Sequence, residues 1–330
     1  MLQSLNKHKA IDTIYVCDRS DENNAHFYRD RIPVNNLTVY GIDEKYSYET
    51  RNTYKSERMA LESFDALWLF LDHPVSPEFL IYLNDLMPDT CMMNAPMGIL
   101  ETSSKAILTD MRREIDCIDM YLPAIKLCTS VEDVELFRAK HGDTVLKALR
   151  DFGGAGVKRY KNYETDLKDT KDVQAFLEHQ NRQCLAMAYL NNPDQSDKRT
   201  LVFRGQILGS VLRRAAKGGW LCNIASGGSA EMSSPNIEEK TLIDVIDPWL
   251  QSKGIYYYGI DTLKDENGRR LLSEINTLNI GGVQIIQDMS GIDVCDTVTL
   301  GFCKLIQDHH DQKISKGAFE NWSYFFSELG

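Results

Sequence analysis

Asp261, Glu274 and Asn276 are the side chains most suited to chemistry, and they lie in one stretch, IYYYGIDTLKDENGRRLLSEIN, over residues 255–276. Asn267-Gly268 between two β-rich runs is a strong signal for a two-residue hairpin turn. With that turn, Glu266 pairs with Arg269 and Asp261 falls directly across from Glu274. Asn276 then projects from the same sheet face. Like charges opposed across a sheet destabilise it. Either a hard cation such as Mg²⁺ bridges the pair, or the acids face solvent and are relieved by Arg269 or Arg270.

Three further groups carry positive charge or a glycine-rich turn. Arg150-Asp151-Phe152-Gly153-Gly154-Ala155-Gly156 sits between two short strands, with Lys147 just before it. Glycine backbone N–H groups there can fold around phosphate oxygens, although no Gly-Lys-Ser/Thr closes the loop as in a Walker A motif. A purely structural turn is the competing reading. Lys105 follows Thr102-Ser103-Ser104 at a helix start, where a cation opposes the helix dipole unless an anion joins it. It also reads simply as an exposed lysine. Asp197-Lys198-Arg199, Arg213-Arg214 and Asn223 flank one hairpin, which is either a phosphate clamp or a solvated face.

The elements that must hold these residues alternate between strand and helix. Residues 11–17, 37–42 and 64–71 read as strands separated by helical segments such as 77–86, the pattern of an open α/β sheet. Residues 101–113 and 131–140 read as helices and 144–149 and 157–160 as strands, with 172–179 helical and 183–190 a strand leading out. Residues 198–203 and 206–213 form a hairpin pattern, 237–253 an amphipathic helix ending at Gly254, and 293–310 a final helix. No G-x-G-x-x-G follows the first strand, so a nicotinamide-binding reading lacks support.

The 330 residues suffice for two or three domains. A net charge of −11 argues against a nucleic-acid binder, which needs surplus cations. The eight cysteines show no C-x-x-C spacing, so neither a zinc ribbon nor a redox dithiol is indicated. No signal peptide or membrane span is read, and reduced thiols point to a cytoplasmic location.

In this order the motifs resemble the ATP-grasp superfamily, and within it bacterial glutathione synthetases. The matching stretches run from Met93-Asn94-Ala95-Pro96 through Lys105, Val145-Leu146-Lys147, Gly153–Gly156, Met187-Ala188-Tyr189-Leu190 and Asp197-Lys198-Arg199. They continue through Asn223-Ile224-Ala225-Ser226-Gly227-Gly228, Gly259-Ile260-Asp261 and Glu274-Ile275-Asn276. The resemblance implies an α/β ATP-grasp fold with an N-terminal α/β domain (1–103), a lid with the glycine loop (104–186) and a metal-bearing subdomain (187–330).

It also implies roles. Lys105 and Lys147 contact nucleotide phosphates, with Gly153, Gly154, Ala155 and Gly156 closing over them. Met187, Ala188, Tyr189 and Leu190 form the adenine-reading hinge, and Asp197 and Lys198 belong to the nucleotide site. Asp261, Glu274 and Asn276 hold two Mg²⁺ ions, with Mn²⁺ as an alternative. Arg199 and Arg213 stabilise the transferring phosphoryl group, and Asn223 positions the intermediate. The implied reaction joins a carboxylate to an amine through an acyl phosphate, with small-molecule substrates, no nucleic acid or membrane, and a dimer or tetramer as the assembly. An amino-acid ligase for another small molecule or a peptide terminus is the alternative, and an inactive nucleotide-binding protein is the alternative of another class.

The acceptor side departs from the family. Leu221-Cys222-Asn223-Ile224 stands where relatives carry Arg-Gly-Asn-Leu, and Asn276 is followed by Thr277-Leu278-Asn279-Ile280-Gly281-Gly282 instead of a Thr-Ser-Pro segment. Leu71-Asp72-His73-Pro74 lacks the usual basic residue.

Overall fold

The computed structural model describes residues 5, 11–43, 45–46, 49–50, 53–71, 75–151, 156–161, 167–191, 196–216, 222 and 227–327, with side chains of 167–169 and 313–327 left aside. The chain forms two compact units. One holds Met1–Leu69, Ile81–Met93 and Asp293–Gly330; the other holds Phe70–Leu80 and Asn94–Ile292. Residues 293–330, expected with the metal-bearing part, therefore belong with the N-terminal unit. The first boundary falls near residue 94 instead of 103.

In the first unit β1 (Ile14–Val16), β2 (Asn36–Ile42) and β3 (Ser56–Ala60) form an antiparallel sheet. The sequence pattern had suggested a single open sheet. Among the described residues the one α-helix between these strands is the four-residue α1 (Ala25–Tyr28), too short for the crossover that parallel pairing needs. β4 (Ala66–Trp68) and β5 (Cys91–Met93) are separated by α2 (Pro77–Leu86), and they do pair in parallel.

The second unit begins with α3 (Pro96–Thr102) and α4 (Ile107–Glu114), so the helix expected over 101–113 is broken by a turn that contains Lys105. A four-stranded sheet follows in the order β6 (Ile125–Cys128), β9 (Cys184–Ala188), β7 (Thr144–Ala148), β8 (Val157–Tyr160), all antiparallel. Because side chains alternate across a strand, its two faces separate cleanly. Cys128, Leu146, Ala148, Tyr160, Cys184 and Ala186 pack with α5 (Val131–His141) and α6 (Leu167–His179) in a core cluster. Ile125, Met187, Val145 and Arg159 are register partners in one row of the other face, and Leu127, Leu185, Lys147 and Val157 are the next row.

The second sheet runs β12 (Ser229–Ser233), β11 (Gln206–Arg214), β10 (Ser196–Phe203), β13 (Tyr257–Lys264), β14 (Arg270–Asn276). α7 (Ile237–Ser252) opens with a capping box between Asn236 and Glu239. α8 (Val283–Ser290) closes this unit, and α9 (Val294–Ser327) lies in the first.

Candidate active site

The β13–β14 hairpin places Asp261 directly opposite Glu274, as the spacing predicts, but by a different route. The turn is not the two residues Asn267-Gly268. Asp265 N–H donates to the Arg269 carbonyl at 2.9 Å and Gly268 N–H to the Asp265 carbonyl at 3.1 Å, which leaves a three-residue loop with Gly268 at φ +81°. That loop shifts the register, so Thr262 faces Leu272. An irregularity next to Asp261 then leaves Ser273 as the extra residue and restores the Asp261–Glu274 pairing. The bulge has a use: buried Lys147 Nζ donates to the Ser273 carbonyl at 3.1 Å and to Ser273 Oγ at 2.9 Å.

The two acids are not relieved by Arg269 or Arg270. Arg269 pairs with Asp265 at 2.9 Å, and Arg270 donates to the Thr262 carbonyl on the other face. Arg199, register partner of Asp261, grips its carboxylate with Nε and Nη2, both at 2.6 Å. Arg213 Nη2 reaches the same carboxylate at 3.1 Å and binds Asp197 bidentately at 2.7 Å. Asn276 Nδ2 lies 3.5 Å from Asp261 Oδ2. Lys105, also buried, has Nζ 3.7 Å from Glu274 Oε1 and donates to the Asp151 carbonyl.

Lys105, Lys147, Arg199 and Arg213 thus face Asp197, Asp261 and Glu274, a buried cluster with a surplus of cations. The surplus removes the expectation that the bare acid pair is a liability, since each carboxylate already has a cation. Burial raises the Asp261 pKa, but Arg199 and Arg213 outweigh it and hold the carboxyl well below its ordinary range. Burial pushes Asp197 up, with Asp261 adding to it and Arg213 opposing. Lys147 is pulled down by burial to about 8. A buried place that keeps surplus positive charge is suited to a polyanion.

The carboxylate-rich strand is tied to Lys105 through α3. Asn94 Nδ2 donates to the carbonyls of Tyr257 and Thr277, and its Oδ1 accepts from Tyr256 and Tyr257 N–H. Thr102 Oγ1 donates to Thr277 Oγ1 at 2.9 Å. Beyond, Lys105 N–H donates to the Leu149 carbonyl, and Ala148 N–H to the Gly156 carbonyl, which closes the base of the glycine loop. Gly156 is at φ +64°, and a Cβ there would lie 2.3 Å from Asp151 Oδ2 and 2.6 Å from Ala148 Cβ.

Residues 115–291 match the family described as prokaryotic glutathione synthetase, ATP-grasp domain. The chain belongs to this ATP-grasp family. It is an ATP-dependent ligase forming carbon–nitrogen bonds, in a family that uses ATP and a divalent metal. The glutathione synthetase of Vibrio cholerae is 28% identical over 229 residues, covering 68% of each chain. That of Bradyrhizobium diazoefficiens is 26% identical over 269 residues, covering 81% of this chain and 80% of that one. Among solved structures the fold is similar to D-cycloserine synthetase DcsG, at a TM-score of 0.57 and 12% identity, covering 75% of this chain and 85% of that chain. It is also similar to D-alanyl-alanine synthetase A from Vibrio cholerae, at a TM-score of 0.56 and 13% identity, covering 83% and 80%.

Not every ATP-grasp residue expected at the site is there. Lys198 alternates to the opposite face of β10 from Asp197 and Arg199. Its Nζ donates to Glu239 Oε2 at 2.6 Å and to the Ser234 carbonyl at 2.9 Å. Thr262 Oγ1 donates to the other Glu239 oxygen at 2.6 Å. Lys198 is therefore a buried structural cation, not a nucleotide contact. Glu239 was legible only through its capping-box spacing from Asn236.

Met187 and Ala188 lie on the central strand β9, and Met187 faces the same side as Lys147. Tyr189 N–H donates to the Asp143 carbonyl, and Leu190 follows. Gly153, Gly154, Ala155 and Asn223 lie outside the described residues, as do Leu221 and His73. Among the described residues no group of three or more His, Cys, Asp or Glu is arranged to hold a metal. The fitting set instead mixes two carboxylates with an amide, oxygen donors suited to a hard divalent cation. No helix among the described residues is long and apolar enough to cross a membrane.

Proposed function

We propose that this ligase activates a small carboxylate substrate at the γ-phosphate of ATP and passes the acyl group to an amine, and that the donor–acceptor pair differs from γ-glutamylcysteine and glycine. The observation that carries the reading is the buried cluster in which four cations face three carboxylates. Phosphoryl transfer to a carboxylate brings two anions together, so positioning and charge neutralisation are the main demands on the protein.

In this reading Lys105 and Lys147 hold nucleotide phosphates, and the face bearing Ile125, Val145, Leu185 and Met187 receives the base. Asp261, Glu274 and Asn276 would hold the Mg²⁺ ions, two in this reading, which would supply further neutralisation of phosphate charge when bound. Arg199 and Arg213, both gathered at the Asp261 carboxylate, are the guanidinium groups placed to stabilise the transferring phosphoryl group. Residues 104–186 act as the lid that keeps water from the acyl phosphate. The oxygen of the donor carboxylate attacks the γ-phosphorus, the bond to the β,γ-bridging oxygen breaks, and ADP leaves. The amine then attacks the acyl carbon and expels phosphate.

Leu221 supports the altered substrate, because an arginine there would give a peptide carboxylate a bidentate partner. The test is ADP release across a panel of amino acids and γ-glutamyl peptides. The expected result is turnover that requires both a carboxylate and an amine and is poor with γ-glutamylcysteine plus glycine. Efficient glutathione formation would make the chain an ordinary glutathione synthetase, and ADP release with no pair would sink the ligase reading for these substrates.

A further inference from the structure

The sheet face that carries Lys147 also carries Arg159, in the adjacent row across β7 and β8. Arg159 is register partner of Val145, which is partner of Met187. Its guanidinium carbon lies 3.3 Å from the ring centroid of Tyr189, the first residue beyond β9. Its Nη2 donates to Asp143 Oδ2 at 2.7 Å. Asp143 also accepts, through its carbonyl, the Tyr189 N–H at 2.8 Å. Asp143, Arg159 and Tyr189 thus close on one another through a stack, an ion pair and a backbone hydrogen bond. Arg159 Nε is buried and donates to nothing among the described residues.

Resting on the proposed nucleotide site, we infer that these three residues form a clamp that fixes the chain leaving β9, and that Arg159 is a positioning residue setting affinity for the nucleobase and not for the phosphates. The argument is geometric. The apolar row Ile125, Met187, Val145 ends at Arg159, so the clamp forms the rim of the surface on which a flat base would lie. A planar cation stacked on an aromatic ring holds that ring's plane as well as its position, which an ammonium cannot do. With Tyr189 held, the backbone after β9 keeps the orientation needed to read a base edge.

Two probes separate the parts of the ligand. Adenylyl imidodiphosphate carries base and phosphates, and inorganic tripolyphosphate carries phosphates alone; both are titrated with Mg²⁺ by calorimetry. Arg159→Ala is expected to weaken the nucleotide analogue tenfold or more while tripolyphosphate stays within twofold of wild type. Arg159→Lys, which keeps charge but not the plane, is expected to recover less than half of the loss in binding free energy, and it serves as well if the alanine variant folds poorly. Unchanged analogue binding by the variants would overturn the clamp, as would equal weakening of both probes. If wild type binds neither probe, the proposed nucleotide site itself fails, a distinct result.

Discussion

Single residues decide much of the site, and burial decides how each behaves. Lys147 is held to about pH 8 by burial, from an ordinary 10.5. Below pH 8 it is charged and can meet a phosphate; above, it is neutral. Affinity for the Mg²⁺ complex of adenylyl imidodiphosphate should therefore fall as pH rises from 7 to 9.5, approaching tenfold per unit above 8, and Lys147→Arg should flatten the curve. Stability runs the other way, because between about pH 8 and 10.5 the unfolded chain binds more protons and the Lys147 contribution grows more favourable. A flat affinity profile in the wild type would remove Lys147 from the phosphate site. Lys198 makes the complementary case. Lys198→Met leaves Glu239 buried with its closest cation gone, which should cost about 3–5 kcal/mol in urea unfolding while analogue affinity of the folded protein is unchanged. Weakened binding without destabilisation would return Lys198 to the nucleotide site.

Elements explain why the sequence was readable in some places and not in others. The opposition of Asp261 and Glu274 was legible because strand alternation and a nearby Asn-Gly limit the pairings. The route to it was not, since a three-residue loop and a bulge at Ser273 offset each other and leave the same partners. The basic residues around β10 and β11 could be found by type, but only the register tells Arg199 from Lys198. The arginine grip on Asp261 had no sequence signal, because it depends on strands brought together from sites 62 positions apart. Arg159 escaped for the same reason. Two glycines test the element scale directly. Gly268 has φ +81° and open space about it, so Gly268→Ala should cost about 1 kcal/mol from backbone strain and spare nucleotide binding. Gly156→Ala meets the same strain and also collides with Asp151 and Ala148. It should destabilise more by thermal unfolding and weaken analogue binding by moving the Asp151 carbonyl that Lys105 uses. Equal effects of the two substitutions would show that the base of the glycine loop has no bearing on the site.

At the scale of the molecule, all the described site residues lie in the unit of Phe70–Leu80 and Asn94–Ile292, whose strands are antiparallel throughout. The family match over residues 115–291 covers most of that unit. The α/β ATP-grasp class was legible from motif order, whereas the N-terminal strand pairing was not, because short β-rich runs say little about direction. The central claim is that a carboxylate oxygen attacks ATP in this site. Its most direct test labels the donor carboxylate with ¹⁸O, for the donor–amine pair that releases ADP, and analyses the phosphate by mass spectrometry. An acyl phosphate predicts one ¹⁸O carried into each phosphate, one ADP per amide formed, and loss of both in Glu274→Gln. Unlabelled phosphate alongside amide formation, or normal turnover in Glu274→Gln, would contradict the account.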